Sequence, residues 1–79
     1  MPRYYFHLQS RDDRLRDEHG LALPDAEAAW YQAVRSARDF LRADLELGCP
    51  FEGRTVTIED EQGLPIAEVP LGEVARFAL

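Results

Sequence analysis

Two histidines stand near carboxylates in this chain. His19 follows Asp17 and Glu18, and His7 lies in a run of strand-forming residues. Two imidazoles with neighbouring carboxylates are the minimum for a metal site, but no helical or hairpin spacing makes these converge. The reading is therefore no metal ligand and no cofactor. His7 is expected to face solvent or pack at an edge, hydrogen-bonded to a cross-strand neighbour. Asp12-Asp13 and Glu59-Asp60-Glu61 lack the spaced oxygens of a calcium loop and read as solvated turns. Cys49, the single cysteine, follows a helix C-terminus, where the dipole disfavours a thiolate, and reads as a packed or incidental thiol.

One enzymatic alternative rests on Pro2. Loss of Met1 would leave a secondary amine, the general base of small tautomerases, with Arg11 or Arg35 to hold a carboxylate substrate. Those enzymes run from their first strand straight into a helix, whereas a charged hairpin intervenes here. The reading is that the protein is not an enzyme and has no catalytic residue. A second alternative is single-stranded nucleic acid. Arg3, Arg11, Arg14 and Arg16 cluster on the first hairpin beside Tyr5 and His7, a combination that can stack bases. The formal charge of -6 opposes phosphate binding.

These residues need elements to position them. Arg3 to Gln9 alternates as a strand, with Tyr4, Phe6 and Leu8 on one face and Tyr5, His7 and Gln9 on the other. Ser10 to Asp13 is a turn, and Arg14 to Asp17 returns as a second strand with Leu15 inward. Glu18-His19-Gly20 is a break. Leu21 and Leu23 lead into Pro24-Asp25, where Asp25 N-caps a helix. That helix runs to about Leu47 and stops at Gly48, with Pro50 beyond. Its stripe includes Ala29, Trp30, Ala33, Val34, Ala37, Phe40, Leu41 and Leu45 at helical spacing, centred on Trp30, Val34 and Phe40. Its polar face offers the pairs Arg35–Asp39 and Arg42–Glu46.

Arg54 to Asp60 is a third strand, with Val56 and Ile58 on one face and Thr55, Thr57 and Glu59 on the other. The turn at Asp60–Gly63 signals a hairpin. Leu64 to Val69 is a fourth strand whose parity slips, which predicts a bulge near Ile66-Ala67. Pro65 and Pro70 make it an edge strand. Leu71, Val74 and Phe77 suggest one short turn of helix. The helix, about 33 Å long, exceeds a seven-residue strand of about 23 Å. Its overhanging Leu45 and Leu47 are expected to be covered by Leu71, Val74 and Phe77, or by a second subunit. The fold class is α+β: ββαββ, one antiparallel four-stranded sheet with a single long amphipathic helix on one face.

Size and composition agree. The chain has 79 residues with a 46% hydrophobic share, enough for one small domain over 1–79. No apolar run approaches a membrane span, so no membrane is expected and the compartment reads as cytoplasmic. Every basic residue is arginine. Residues 1–16 carry four arginines against two aspartates, whereas residues 43–79 carry two against eight acids. That asymmetry favours charge-steered association.

The opening Met1-Pro2-Arg3-Tyr4-Tyr5-Phe6-His7-Leu8 resembles a family of short uncharacterised alphaproteobacterial proteins, a domain of unknown function, whose usual start is Met-Pro-Arg-Tyr-Phe-Phe-His. The resemblance continues through Arg16-Asp17-Glu18-x-Gly20, Leu23-Pro24-Asp25-x-Glu27-Ala28-Ala29 and Val56-Thr57-Ile58-Glu59-Asp60-Glu61-x-Gly63. It implies a small standalone domain and carries no activity. By elimination the chain reads as a non-enzymatic interaction or regulatory module. A single helix covers one face of the sheet. The other face, with Tyr5, His7, Arg14, Arg16, Thr55 and Thr57, is left for an unknown protein partner or a homodimer.

Overall fold

The computed structural model describes residues 1–78. The order is β1 (Arg3–Gln9), β2 (Arg14–Leu15), β3 (Leu21–Ala22), α1 (Ala26–Leu47), β4 (Thr55–Glu59), β5 (Pro65–Pro70) and α2 (Leu71–Ala78). The strands form one antiparallel sheet in the order β2-β1-β4-β5, with β3 also paired to β1. The α+β architecture with one long helix on a sheet holds, with one more short strand than the sequence suggests and a full second helix where it suggests a single turn.

The helix boundaries follow the chemistry of the chain. The Asp25 carboxylate accepts from the Ala28 amide at 2.9 Å, satisfying a free amide of the first turn. At the other end Gly48 adopts φ 69°. The Gly48 and Cys49 amides donate to the carbonyls of Leu45 and Asp44, the double bond of a Schellman stop.

The contact stripe of α1 differs from the one centred on Trp30. Ala29, Ala33, Ala37 and Leu41, spaced by four, are fully buried, while Val34 and Phe40 flank them and Trp30 is 46% exposed. The small side chains let the helix backbone lie close to the sheet, and larger neighbours are pushed to the margins. From the sheet, Tyr4, Leu8, Val56, Ile58 and Val69 complete the core.

Three further expectations change. The second strand is two residues long, and Leu15, though paired with Leu8 on the helix side, is exposed. The helix lies mainly over β4 and β5 and leaves that corner bare. The C-terminal segment is a full helix, and its Leu71 and Val74 are buried. It starts beside the beginning of β4, where the Leu71 amide donates to the Arg54 carbonyl, and lines a groove with Trp30 and Val34 through Val74 and Phe77. Leu45 and Leu47 therefore stay exposed, as does Phe77. The pairs Arg35–Asp39 and Arg42–Glu46 are not formed among the described residues. The Leu79 end of the C-terminal reading lies outside the described residues. The bulge is present: Glu59 pairs with Pro65 and Ile58 with Ala67, so Ile66 is the inserted residue on this edge strand. No described helix is long and apolar enough to cross a membrane.

Candidate functional site on the open sheet face

The strand at the β1 edge is interrupted. β3 pairs with Arg3 and Tyr4, β2 pairs with Leu8 and Gln9, and the chain between them leaves the ladder. Phe6 thus has an amide with no strand opposite. Asp17 fills the gap: its carboxylate accepts from Phe6 N at 3.1 Å, and its other oxygen accepts from the His19 and Gly20 amides, each at 3.1 Å. Gly20 makes this approach possible. Its φ is +68°, and a Cβ there would meet the Tyr4 carbonyl at 2.8 Å and the Tyr5 ring at 2.9 Å.

The same segment covers His7. The ring projects onto the face opposite α1, yet it is only 2% exposed, so His7 is not the exposed contact residue the sequence suggests. Asp17 N donates to Nδ1 at 3.0 Å, and Nε2 meets Glu59 Oε1 at 3.1 Å. An amide can only donate, so Nδ1 accepts and the ring proton sits on Nε2, directed at the carboxylate. Glu59 is cross-strand on β4, which matches the expected kind of partner. Its second oxygen accepts from Arg14 Nη2 at 2.7 Å. Arg14 therefore braces β2 to β4 across β1.

Both carboxyls titrate below their usual range. Burial alone would raise the Asp17 pKa, but donation from Gly20, Phe6 and His19, together with the charge that His7 can carry, more than offsets it. For Glu59 the Arg14 hydrogen bond leads, desolvation opposes it, and the His7 hydrogen bond and charge add to it.

Over this cluster lies an open cavity of about 590 Å³. Tyr5, His7, Arg16 and Asp17 form one side, and Glu59 and Gly63 belong to the other. Glu18, Asp60 and Glu61 add further carboxylates to the wall. Asp60 also shapes the turn, accepting from the Gln62 and Leu64 amides. The structure thus gathers Tyr5, His7 and Arg16 around one concavity, with Arg14 tied to Glu59. Thr55 and Thr57 share the face but pair opposite Gln9 and His7, outside the cavity wall. His19 donates only its main chain here, and Arg3 binds its carbonyl at 2.9 Å. Among the described residues no group of three or more His, Cys, Asp or Glu is spaced to hold a metal ion. Pro2 is exposed and lines neither this cavity nor the apolar groove beside Trp30. Cys49 is exposed rather than packed.

Sequence reasoning passed over Asp17 as a site residue. The available signal was the spacing Asp17-x-His19-Gly20, an Asx-type turn in which one carboxylate reaches amides two and three residues on. A second polar feature was missed altogether. Asp44, on the buried side of α1, pairs with Arg54 Nη1 at the start of β4. Opposite, an apolar groove of about 150 Å³ runs between Trp30, Val34, Val69, Val74 and Phe77, with Glu73 at its edge.

The chain matches the family described as a domain of unknown function (DUF6894) over residues 3–72. No curated protein and no solved structure matches it. The chain belongs to that family, a domain of unknown function as the resemblance implied.

Proposed function

We propose that this member of the family is a non-enzymatic interaction module that receives a basic segment of a partner protein on the sheet face opposite α1. The observation that carries the reading is the cavity wall. Asp17 and Glu59 are used internally, but Glu18 and Glu61, with no hydrogen bond among the described residues, add charge that nothing in the fold consumes. The net charge of -6 points the same way. The nucleic-acid alternative loses two of its contacts, since Arg14 is held by Glu59 and Arg3 by the His19 carbonyl, and His7 is too buried to stack.

The proposal includes a cytoplasmic setting. The free, exposed Cys49 suits a reducing compartment. A homodimer is the second reading, favoured by the groove beside Trp30 and Phe77, where exposed aromatics resemble the anchors of protein interfaces.

The test is an NMR titration with a hexa-arginine peptide, using hexa-glutamate as control. Amide shifts at Glu18, Glu61 and Gly63 that weaken with added salt support the reading, and Glu18→Gln with Glu61→Gln should reduce them. A chain that ignores the basic peptide at low salt contradicts it. Light scattering of the free protein addresses the dimer.

A further inference from the structure

We propose that the proton count on His7 controls how the Arg16–Gly20 segment is held against the sheet, making this segment a pH-responsive flap at the mouth of the cavity. The inference does not depend on which partner the cavity receives.

The reason is geometric. Neutral His7 accepts the Asp17 amide at Nδ1 and gives its Nε2 proton to Glu59. A second proton must go on Nδ1, where it would face an amide N–H at 3.0 Å. Two donors cannot share that contact, so the bond to the segment breaks. The bond to Glu59 survives in both states and gains charge. One side of the ring therefore keeps its hold on β4 while the other releases its neighbour.

The charged ring is not stranded. Glu59 faces it from β4, with Arg14 from β2 on the far carboxylate oxygen. The Asp17 carboxylate faces it from the segment itself, close enough to feel its charge. Arg16, Glu18, Asp60 and Glu61 line the same cavity, where carboxylates outnumber arginines.

Asp17 couples release to movement. Its oxygens are occupied by the amides of Phe6, His19 and Gly20. Oδ2 takes a single amide and has a lone pair to spare. Offering it to a protonated Nδ1 means bringing the carboxylate round to the ring edge that the Asp17 amide now occupies, so the segment re-seats as a unit. The flanking β2 and β3 pairings to β1 are the hinges that remain.

The experiment follows amide hydrogen-exchange protection and ¹H–¹⁵N shifts from about pH 8 to about pH 5, the span in which imidazoles change charge. His19 lies in the same segment, so the measurement is made in a His19→Gln background. Protection of the Asp17 amide, corrected for intrinsic exchange, should fall roughly fivefold or more, the size of one net hydrogen bond. Phe6 and Gly20 should change in step with the His7 ring, while Ile58 and Leu41 stay constant. At high pH, ring ¹⁵N shifts should report the Nε2–H tautomer. His7→Asn keeps an acceptor near Nδ1 and cannot titrate, so it should abolish the transition. If that variant does not fold, ring and amide titrations in the His19→Gln protein still decide the matter. The proposal is overturned if His7 titrates while Asp17 protection stays constant, if the segment follows a carboxylate below about pH 5 instead, or if the ring stays neutral until the fold is lost.

Discussion

Around His7 both ring nitrogens, both Asp17 oxygens and both Glu59 oxygens have partners. At the C-terminal end of α1, the Asp44–Arg54 pair leaves Asp44 Oδ2 and Arg54 Nε buried without a partner among the described residues. Both groups pin distant parts of the chain: the first ties β2 and the Arg16–Gly20 segment to β1 and β4, and the second ties α1 to the start of β4. They differ in where the partners come from. Asp17 draws two of its three donors from amides two and three residues away, delivered almost free of ordering cost once the turn forms, and the third from the Phe6 backbone. Arg54 must hold a long side chain in one conformation and strip water from two charges. Satisfaction at Asp17 is thus cheap, and on the open face every ring nitrogen and carboxylate oxygen of the cluster has a partner, whereas under the helix satisfaction is partial and leaves the pair vulnerable.

That contrast is most exposed by Arg54→Met. Asp44 would remain as an uncompensated buried charge, and loss of about 3–5 kcal/mol is expected from urea denaturation. In a small domain with roughly 5 kcal/mol in total, this brings the fold close to unfolding. Combining it with Asp44→Leu should recover much of the loss. If the double variant were as unstable as the single, partial satisfaction would not explain the weakness of this pair.

On the open face, Asp17→Ala removes the acceptor of the Phe6, His19 and Gly20 amides. A loss of about 2 kcal/mol is expected, with exchange at Phe6 N rising before exchange in α1. A cost near zero, or uniform loosening, would show that the segment does not patch the ladder.

Acid should reach the open face through its carboxylates. Asp17 and Glu59 titrate below their usual 3.8 and 4.5 in the folded state. Their contribution is therefore complete above about pH 4.5 and is lost as pH falls through the lower folded values. Acid denaturation curves of Asp17→Asn and Glu59→Gln should be flatter in that window than those of the parent.

The smallest effect belongs to Arg14→Gln. Arg14 is 39% exposed beside Glu59, so the change should cost no more than about 1 kcal/mol at neutral pH. It should nevertheless move the acid transition upward, because the leading cause of the low Glu59 pKa is removed. A large neutral-pH loss with no acid shift would mean that Arg14 acts through packing.

How much was legible in advance varies with range along the chain. Asp25 and Gly48 end α1 through bonds to residues three or four positions away, and those are written in local order. The bulge at Ile66 was visible because a slipped parity has few remedies. His7 shows the limit. Its strand and its outward face were readable, but its burial depends on residues 16–20 folding back over it. Likewise the weight of the α1 interface on Ala29, Ala33, Ala37 and Leu41, with Trp30 at the margin, depends on how close the helix approaches the sheet. Periodicity cannot show that distance.

Order along the chain alone therefore determined the α+β class, the limits of the long helix, the strand faces and the family. Tertiary structure alone decided which charges meet: His7 with Glu59 across 52 residues, Asp17 with Phe6 across 11, Asp44 with Arg54 beneath the helix. The physical reason is reach. Propensity and capping act within a turn or two of the backbone, whereas a buried hydrogen bond is chosen by whatever group the packed chain brings within about 3 Å.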